Sequence, residues 1–370
     1  MTTYELKNLP NDVKNVLIQS RHLKNVEQHR KEILDKKFLS NKEINSGSLM
    51  DMLDETPSFT TSPVQTYETT VIWATDNYSE RGDEYGFKQP IQDLSIIVPR
   101  VDKSKAEQKR RVKDKAEVFT PSWVCNVQNN LIDDHLLKPN VFNKVSEDKK
   151  SWTSTKRKVP FTKDYTWLDY IVERRLELAC GEGPYLMSPY DTTTGKGIPV
   201  RDDEGKFSRI GLLDRKLRVV YENVFKDFKK DRTGRVVEEI DEKTKEQWVN
   251  YAMLSLVNTF GYEWQGDNLL LARLNMLNTF IEYYEDVFNE MPNNELILEV
   301  SEIASWNLWQ MDGLKMVEPM SCDDNCKACK NKKRIGHNGK ISVIRFLTSE
   351  GFALKAFEDL LPIEMSSKNK

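Results

Sequence analysis

The chain has 370 residues, with 55 Lys and Arg against 58 Asp and Glu, a net charge of −3, and 31% charged residues beside 38% hydrophobic ones. That length supports one large domain with appendages or two domains, and the charge balance excludes a globally basic nucleic-acid binder, so any such activity has to come from local asymmetry. No apolar run approaches the roughly 20 residues that cross a bilayer, and MTTYELKNLPNDVKN lacks the apolar core of a secretory signal, so the expected location is the cytoplasm with no membrane partner.

Residues 1–65 are charged and carry Val13, Val16, Leu17, Leu23, Val26, Ile33 and Leu34 near helical spacing, which predicts a helical arm or small domain. It ends in the Ser-, Thr- and Pro-rich linker SGSLMDMLDETPSFTTSPVQT. A basic linker region over 66–115 opens with the strand-like TYETTVIWATD. Inside it, RVDKSKAEQKRRVKDK sets Arg100, Lys103, Lys105, Lys109, Arg110, Arg111, Lys113 and Lys115 against Asp102, Glu107 and Asp114. Such a face either meets water or lies along phosphates.

Thr120-Pro121 predicts a helix start, with Thr120 as N-cap and Val124, Val127, Leu131 and Ile132 on one face beyond it. Leu176 to Cys180 is short, apolar and followed by Gly181, the pattern of a buried strand feeding a turn. Residues 189–245, with turn-rich GKGIPVRDDEGK and KKDRTGRVVEEIDEKTK, read as an insertion. EQWVNYAMLSLVNTF then predicts a helix, GYEW a short strand, DNLLLARLNMLNTFIEYYEDVF a long helix capped by Asp267, and ELILEVSEI another strand. No internal repeat is visible, which argues against solenoids and propellers.

Two constellations carry chemistry. The first is Gly181-x-Gly183 after a strand, with Glu263 at the end of a later strand. Glycines let backbone approach a ligand, and a carboxylate at a neighbouring strand end accepts ribose hydroxyl protons. Alone, the glycine pair reads more readily as a simple turn. The second is Cys322-x3-Cys326-x2-Cys329 with His337 beyond, the ligand types of a structural zinc site, set against three reduced surface cysteines. Its spacing also occurs in radical S-adenosylmethionine enzymes, but no alternating strands and helices follow it. Cys125 and Cys180 are isolated, an odd cysteine count argues against a disulfide framework, and His22, His29 and His135 receive no role.

Three segments bear a resemblance to one family. LELACGEG resembles the Asp-Pro-Ala-Cys-Gly-Ser-Gly motif of S-adenosylmethionine-dependent DNA adenine-N6 methyltransferases. Glu177 falls on its acidic position, Ala179 and Cys180 match, Gly181 and Gly183 fall on its glycines, while Leu178 replaces the proline and Glu182 the small polar residue. AEVFTP, Ala116 to Pro121, is similar to the Gly-Glu-Val-Phe-Thr-Pro motif that packs over the methionine end of the cofactor, and GYEWQGDNLLLARLNML to the motif in which an acidic residue precedes an Ala-Arg-x-Asn helix. The resemblance covers roughly Lys115 to Tyr284. It implies an α/β, doubly wound, mostly parallel seven-stranded sheet, within a domain over 116–370 that carries the 189–245 insertion and a Cys-rich segment at 320–340.

The same resemblance assigns cofactor contacts to Phe119, Thr120, Pro121, Glu177, Ala179, Cys180, Gly181, Gly183 and Glu263. The family's Asn-Pro-Pro-Tyr-type tetrapeptide, which holds and stacks the flipped adenine, is missing; SPYD, Ser188 to Asp191, follows the glycines too closely and reads as a turn. SWNLWQMDG supplies a positional substitute, with Asn307 accepting the amine protons and Trp306 or Trp309 stacking; the competing reading makes these indoles core residues. The implied function is methyl transfer to adenine N6 of DNA in a restriction-modification or phage-defence system, with a restriction or specificity subunit as partner. The alternatives are a catalytically inactive S-adenosylmethionine-binding, DNA-binding defence subunit, or modification of another base or small molecule with the same cofactor.

Overall fold

A computed structural model describes residues 4–28, 30, 65–115, 117, 119–348 and 351–360. Among the described residues of the expected helical arm, a short helix, α1 (Asn11–Leu17), is followed by a strand, β1 (Gln19–Leu23), that pairs antiparallel with β2 (Thr66–Thr70), and residues 26–28 and 30 are helical again. Residues 31–64, the rest of that arm and its linker, lie outside the described residues. The basic segment forms α2 (Lys105–Lys115) and the Thr-Pro signal leads into α3 (Ser122–Asp134), whose N-cap is Pro121 rather than Thr120. A small hairpin of β3 (Asn143–Val145) and β4 (Trp152–Ser154) precedes α4 (Trp167–Val172), which Thr166 and Asp169 start with a capping box.

The centre is a parallel sheet of β5 (Arg175–Leu178), β6 (Thr259–Glu263) and β7 (Leu308–Gln310), in that order. It replaces the seven-stranded sheet that the resemblance implies: the other strands among the described residues pair only in two-stranded antiparallel sheets, including β8 (Val343–Thr348) with β9 (Gly351–Ala356). ELILEVSEI, expected as a strand, is the middle of α8 (Asn294–Asn307). The Asn293 side chain accepts the Leu296 N–H at 2.9 Å, and Ile297, Val300, Ile303 and Ala304 bury one helical face.

The β7 end of the parallel sheet has a physical explanation. Beyond β7, the Gln310 side chain accepts from the Ile72 N–H at 2.9 Å and donates to the Ile72 carbonyl at 2.9 Å, so an amide stands in for the next strand. Beyond β5 no strand follows among the described residues, and Leu176 and Leu178 are 41% and 63% exposed. Leu178, Tyr262 and Trp309 share a register row and hence a face. On that face Phe260 and Trp309 pack with Met311, Met316, Ile344 and Phe346, the last two from β8.

On the opposite face lie α5 (Leu212–Val224), α6 (Glu242–Val257), α7 (Gly266–Phe288) and α8, joined in the main core through Leu213, Leu217, Leu256, Leu270, Leu277, Phe280 and Val300. α5 falls inside the segment expected to be an insertion, yet its residues Leu212 to Tyr221 are buried. Asp267 does not cap α7; Gln265 does, and Asp267 sits in the first turn, buried, with its carboxylate on Arg111 and the Tyr78 hydroxyl.

Arg273 fastens these layers. Its fully buried guanidinium donates to the Leu308 carbonyl at 2.7 Å, the Ser305 carbonyl at 3.0 Å, the Gln19 carbonyl at 2.8 Å and the Leu17 carbonyl, so one side chain of α7 holds β7, α8, β1 and α1. Arg273→Met removes these donors and leaves buried carbonyls unpaired, and is expected to cost about 3–5 kcal/mol of unfolding free energy in urea titration. Arg273→Lys is expected to recover less than half of that, because an ammonium cannot reproduce the planar fork; full recovery would show that charge alone matters.

Candidate functional site

At Leu178 the chain leaves β5 through Ala179, Cys180, Gly181 and Gly183. Ala179, Gly181 and Gly183 have φ of +51°, +54° and +78°, the left-handed region where glycine is unstrained and alanine is not. The turn closes with the Gly183 N–H on the Cys180 carbonyl at 2.7 Å, and the Cys180 N–H holds the Tyr262 carbonyl at 2.8 Å. At the end of β6 the Glu263 carboxylate accepts from the Gly181 N–H at 2.8 Å and the Gln265 N–H at 3.1 Å. The two strand ends are thereby locked side by side.

A cavity of about 610 Å³ opens at these ends. Phe119, Thr120, Glu177, Ala179, Cys180, Gly181 and Glu263 line it, as the sequence-level assignment expected. Pro121 and Gly183 are not among the lining residues; Pro121 begins α3 and Gly183 adjoins Pro184, which is. Glu117, Gln265 and Asn268 also line it and lie within or beside the segments that carry the resemblance, so their neighbourhood was visible in the sequence. Ala74 and Phe87 come from a distant loop, and no local signal marks them.

Among the described residues the lining contains Glu117, Glu177, Glu182 and Glu263 and no Lys, Arg or His. Two of these carboxylates are already answered. Glu117 pairs with Arg111 at 2.9 Å, and Glu182 accepts from the Arg100 N–H at 2.8 Å and the Tyr190 hydroxyl at 2.7 Å. Glu177 and Glu263 have backbone N–H donors but, among the described residues, no cation. Burial pushes the Glu177 carboxyl well above its ordinary range and Glu263 up to about 7. A phosphate would enter against four carboxylates. A ligand with positive charge and hydroxyl donors would relieve the half-buried Glu177 and the buried Glu263.

Asn275 supports this loop from α7: its amide donates to the Glu182 carbonyl at 2.9 Å and the Tyr190 hydroxyl at 3.3 Å. SPYD forms a turn, in which Asp191 accepts from the Thr193, Thr194 and Ser122 N–H groups. Asn307, Trp306 and Trp309 do not line the cavity. The Asn307 amide donates to the Leu256 and Thr259 carbonyls at 2.9 and 3.0 Å, tying α8 to the beginning of β6, whereas the cavity is at its end. Trp306 stacks between the guanidinium groups of Arg21 and Arg345, at 4.2 and 4.8 Å, and Trp309 packs in the cluster with Phe260.

Between β7 and β8, Cys322, Cys326, Cys329 and His337 converge, with their four ligand atoms within 4.8 Å of one another. The short helix α9 (Lys327–Lys330) turns the chain between the second and third thiols. The His337 Nδ1 lies 3.6, 3.6 and 3.4 Å from the three sulfurs, while Nε2 is 2.9 Å from the Lys333 carbonyl. With Nε2 donating to that carbonyl, Nδ1 turns a lone pair toward the thiols. The cluster could hold a metal ion. His22, without a predicted role, is buried and pairs with Glu318 at 3.0 Å at the entrance to this segment.

Comparisons of this chain with protein-family models, with curated proteins and with solved structures find no match. Among the described residues no helix is long and apolar enough to cross a membrane.

The two loop glycines separate backbone strain from packing. A Cβ on Gly181 meets nothing within 4 Å, whereas one on Gly183 meets the Met187 methyl at 2.7 Å. Gly181→Ala is expected to cost about 1–2 kcal/mol from its positive φ alone, and Gly183→Ala more, in parallel urea titrations. The reverse order would show that the loop packs differently.

Proposed function

We propose that the cavity binds S-adenosylmethionine and that the chain acts as a DNA adenine-N6 methyltransferase of a restriction-modification or phage-defence system. The observation that carries this reading is convergence: Phe119 and Thr120, Glu177 to Gly181, and Glu263, from three separate segments, line one cavity in which Glu177 and Glu263 have no cation partner among the described residues. When bound, S-adenosylmethionine supplies an activated methyl group on a sulfonium centre. Glu263, with two of its lone-pair positions used by Gly181 and Gln265, keeps others for ribose hydroxyls. Glu177, half-buried, gives up its proton to meet the cationic end, Gly181 leaves space for close approach, and Phe119 and Thr120 line the opening. The chain's work in such a transfer is orientation, since an activated donor needs no strong base.

A second reading is favoured by the positions of Asn307, Trp306 and Trp309: a cofactor-binding DNA-binding subunit without transfer activity, or one that needs a partner to complete the substrate side. Transfer of labelled methyl from S-adenosylmethionine to mixed-sequence bacterial DNA, with calorimetry on the same preparation, decides between them. Label in DNA is the expected result. Binding without label supports the second reading, and absence of binding overturns the cofactor assignment.

Glu263 also sets a pH dependence. Its folded-state pKa of about 7 lies above the ordinary carboxylate value, so it is protonated below neutrality and ionised above. A cationic ligand favours the ionised form, so affinity is expected to fall as pH drops from 8 to 6, with proton release on binding near pH 7. Calorimetry at both pH values in buffers of different ionisation enthalpy reads this; a flat profile would remove Glu263 from the ligand's surroundings.

For the thiol cluster we propose structural zinc. Zinc–sulfur and zinc–nitrogen bonds of about 2.3 and 2.0–2.1 Å at a tetrahedral angle separate sulfur from nitrogen by about 3.6 Å, which the Nδ1–sulfur distances match. The purified protein is expected to carry about one zinc per chain by mass spectrometry of the metal. Cys326→Ser is expected to lose the metal and lower the melting temperature. Metal-free wild-type protein of unchanged stability would rule the site out.

A further inference from the structure

We propose that α2 is a binding rail for a nucleic-acid phosphodiester backbone beside the cavity. Lys105, Lys109 and Lys113 are exposed and recur every four residues. They span roughly 80° of helix arc and about 12 Å of its axis, spaced about 6 Å apart. Gln108 and Arg111 are buried on the other side, where Arg111 engages Asp267, Glu117 and Glu107. The helix is thus fixed in rotation by its buried cation while three lysines point outward. None of the three pairs with an acid among the described residues.

The sequence-level cluster of cations therefore divides by role. Arg111 and Lys103 are internal, Lys103 donating to the Val98 carbonyl at 2.8 Å, and Arg110 reaches the Asn77 carbonyl at 3.4 Å beside a loop with exposed Glu80, Asp83 and Glu84. That loop bounds the rail on one side. At the C-terminal end of α2 the chain continues to Glu117, Phe119 and Thr120 in the cavity wall. Phe87 and Trp264, both partly exposed, also line the cavity, which places aromatic faces near the basic helix. An anionic membrane fits less well: the exposed side of α2 offers only Ala106 and Val112 as apolar groups, too little to seat an interfacial helix.

This inference rests on the reading that the chain acts on DNA, and its test separates the two. Fluorescence anisotropy measures binding of a labelled 30-base-pair mixed-sequence duplex, and of one strand alone, across a salt series. The proteins are wild type, the triple variant Lys105→Ala/Lys109→Ala/Lys113→Ala, and the control Lys138→Ala/Lys163→Ala/Lys243→Ala, which removes exposed lysines elsewhere. Each phosphate contact contributes about 0.9 to the slope of log affinity against log salt. The α2 variant is therefore expected to lower that slope by about 2.7 and the affinity at least tenfold at 0.1 M salt, with the control unchanged. Whether duplex or single strand binds more tightly identifies the source of the backbone. Equal slopes for wild type and the α2 variant, no binding of either nucleic acid, or binding only to phosphatidylserine vesicles would each overturn the rail. Calorimetry with S-adenosylmethionine on wild type and the α2 variant reports on the cavity independently: heat retained in both while anisotropy fails confines the failure to α2.

Discussion

One buried guanidinium sets the geometry on which the rest of the molecule depends. Among the described residues Arg273 has no carboxylate partner, and it spends its donors on main-chain carbonyls of four different elements. A buried charge without those carbonyls would be severely penalised, so α7 can occupy only a position where they converge. Two residues further along the same helix, Asn275 holds the Glu182 carbonyl, so the register imposed by Arg273 is passed to the loop that walls the cavity. The Ala-Arg-x-Asn pattern at Ala272 to Asn275 thus acts as scaffold: it fixes the helix and the helix fixes the loop.

The cavity acids differ from several buried charges of the core and resemble Asp214, which is buried, accepts among the described residues only from Ser188 and Gly211 and is pushed up to about 6. Buried cations are abundantly satisfied: Lys216 donates to the Glu173 and Asn258 carbonyls at 2.6 and 3.0 Å, and Arg218 to the Phe142 carbonyl at 3.0 Å. Asp133, equally buried, has Arg215 at 2.6 Å. Among the described residues Glu177 and Glu263 have only backbone donors, and burial raises both. Carboxyls with raised folded-state pKa values bind more protons folded than unfolded, so each reduces stability as pH rises from its unfolded value toward its folded one. A fold that tolerates this at a ligand-sized opening, next to an alanine held at positive φ, is strained where a ligand would relieve it.

Legibility from sequence followed the range of the interaction. The glycine loop, the acidic end of β6 and the long helix α7 were legible because turn residues and apolar spacing mark them within a few positions. The Cys and His cluster was legible because its ligands lie within 16 residues of one another. α5 was hidden because Arg215, Lys216 and Arg218 make a core helix look hydrophilic; their partners, Asp133, Asn258 and Phe142, are distant in sequence. β1 was hidden in a helical pattern because its pairing with β2 closes a loop of more than 40 residues. Leu296, Ile297, Leu298 and Val300 suit either a strand or a helix, and the Asn293 cap tipped them into α8. The extent of the parallel sheet could not be read from its strands: Gln310 closes one side through its own amide, a device with no sequence signature.

The central claim is that a cationic nucleoside cofactor occupies the opening between Gly181 and Glu263. Its most direct test is a crystal structure of the chain grown with S-adenosylmethionine or its demethylated product, S-adenosylhomocysteine. The account predicts ligand density in the cavity, with ribose hydroxyls on the Glu263 carboxylate and the amino-acid end toward Glu177. Density absent there at saturating ligand, or a ligand bound elsewhere on the molecule, would contradict it.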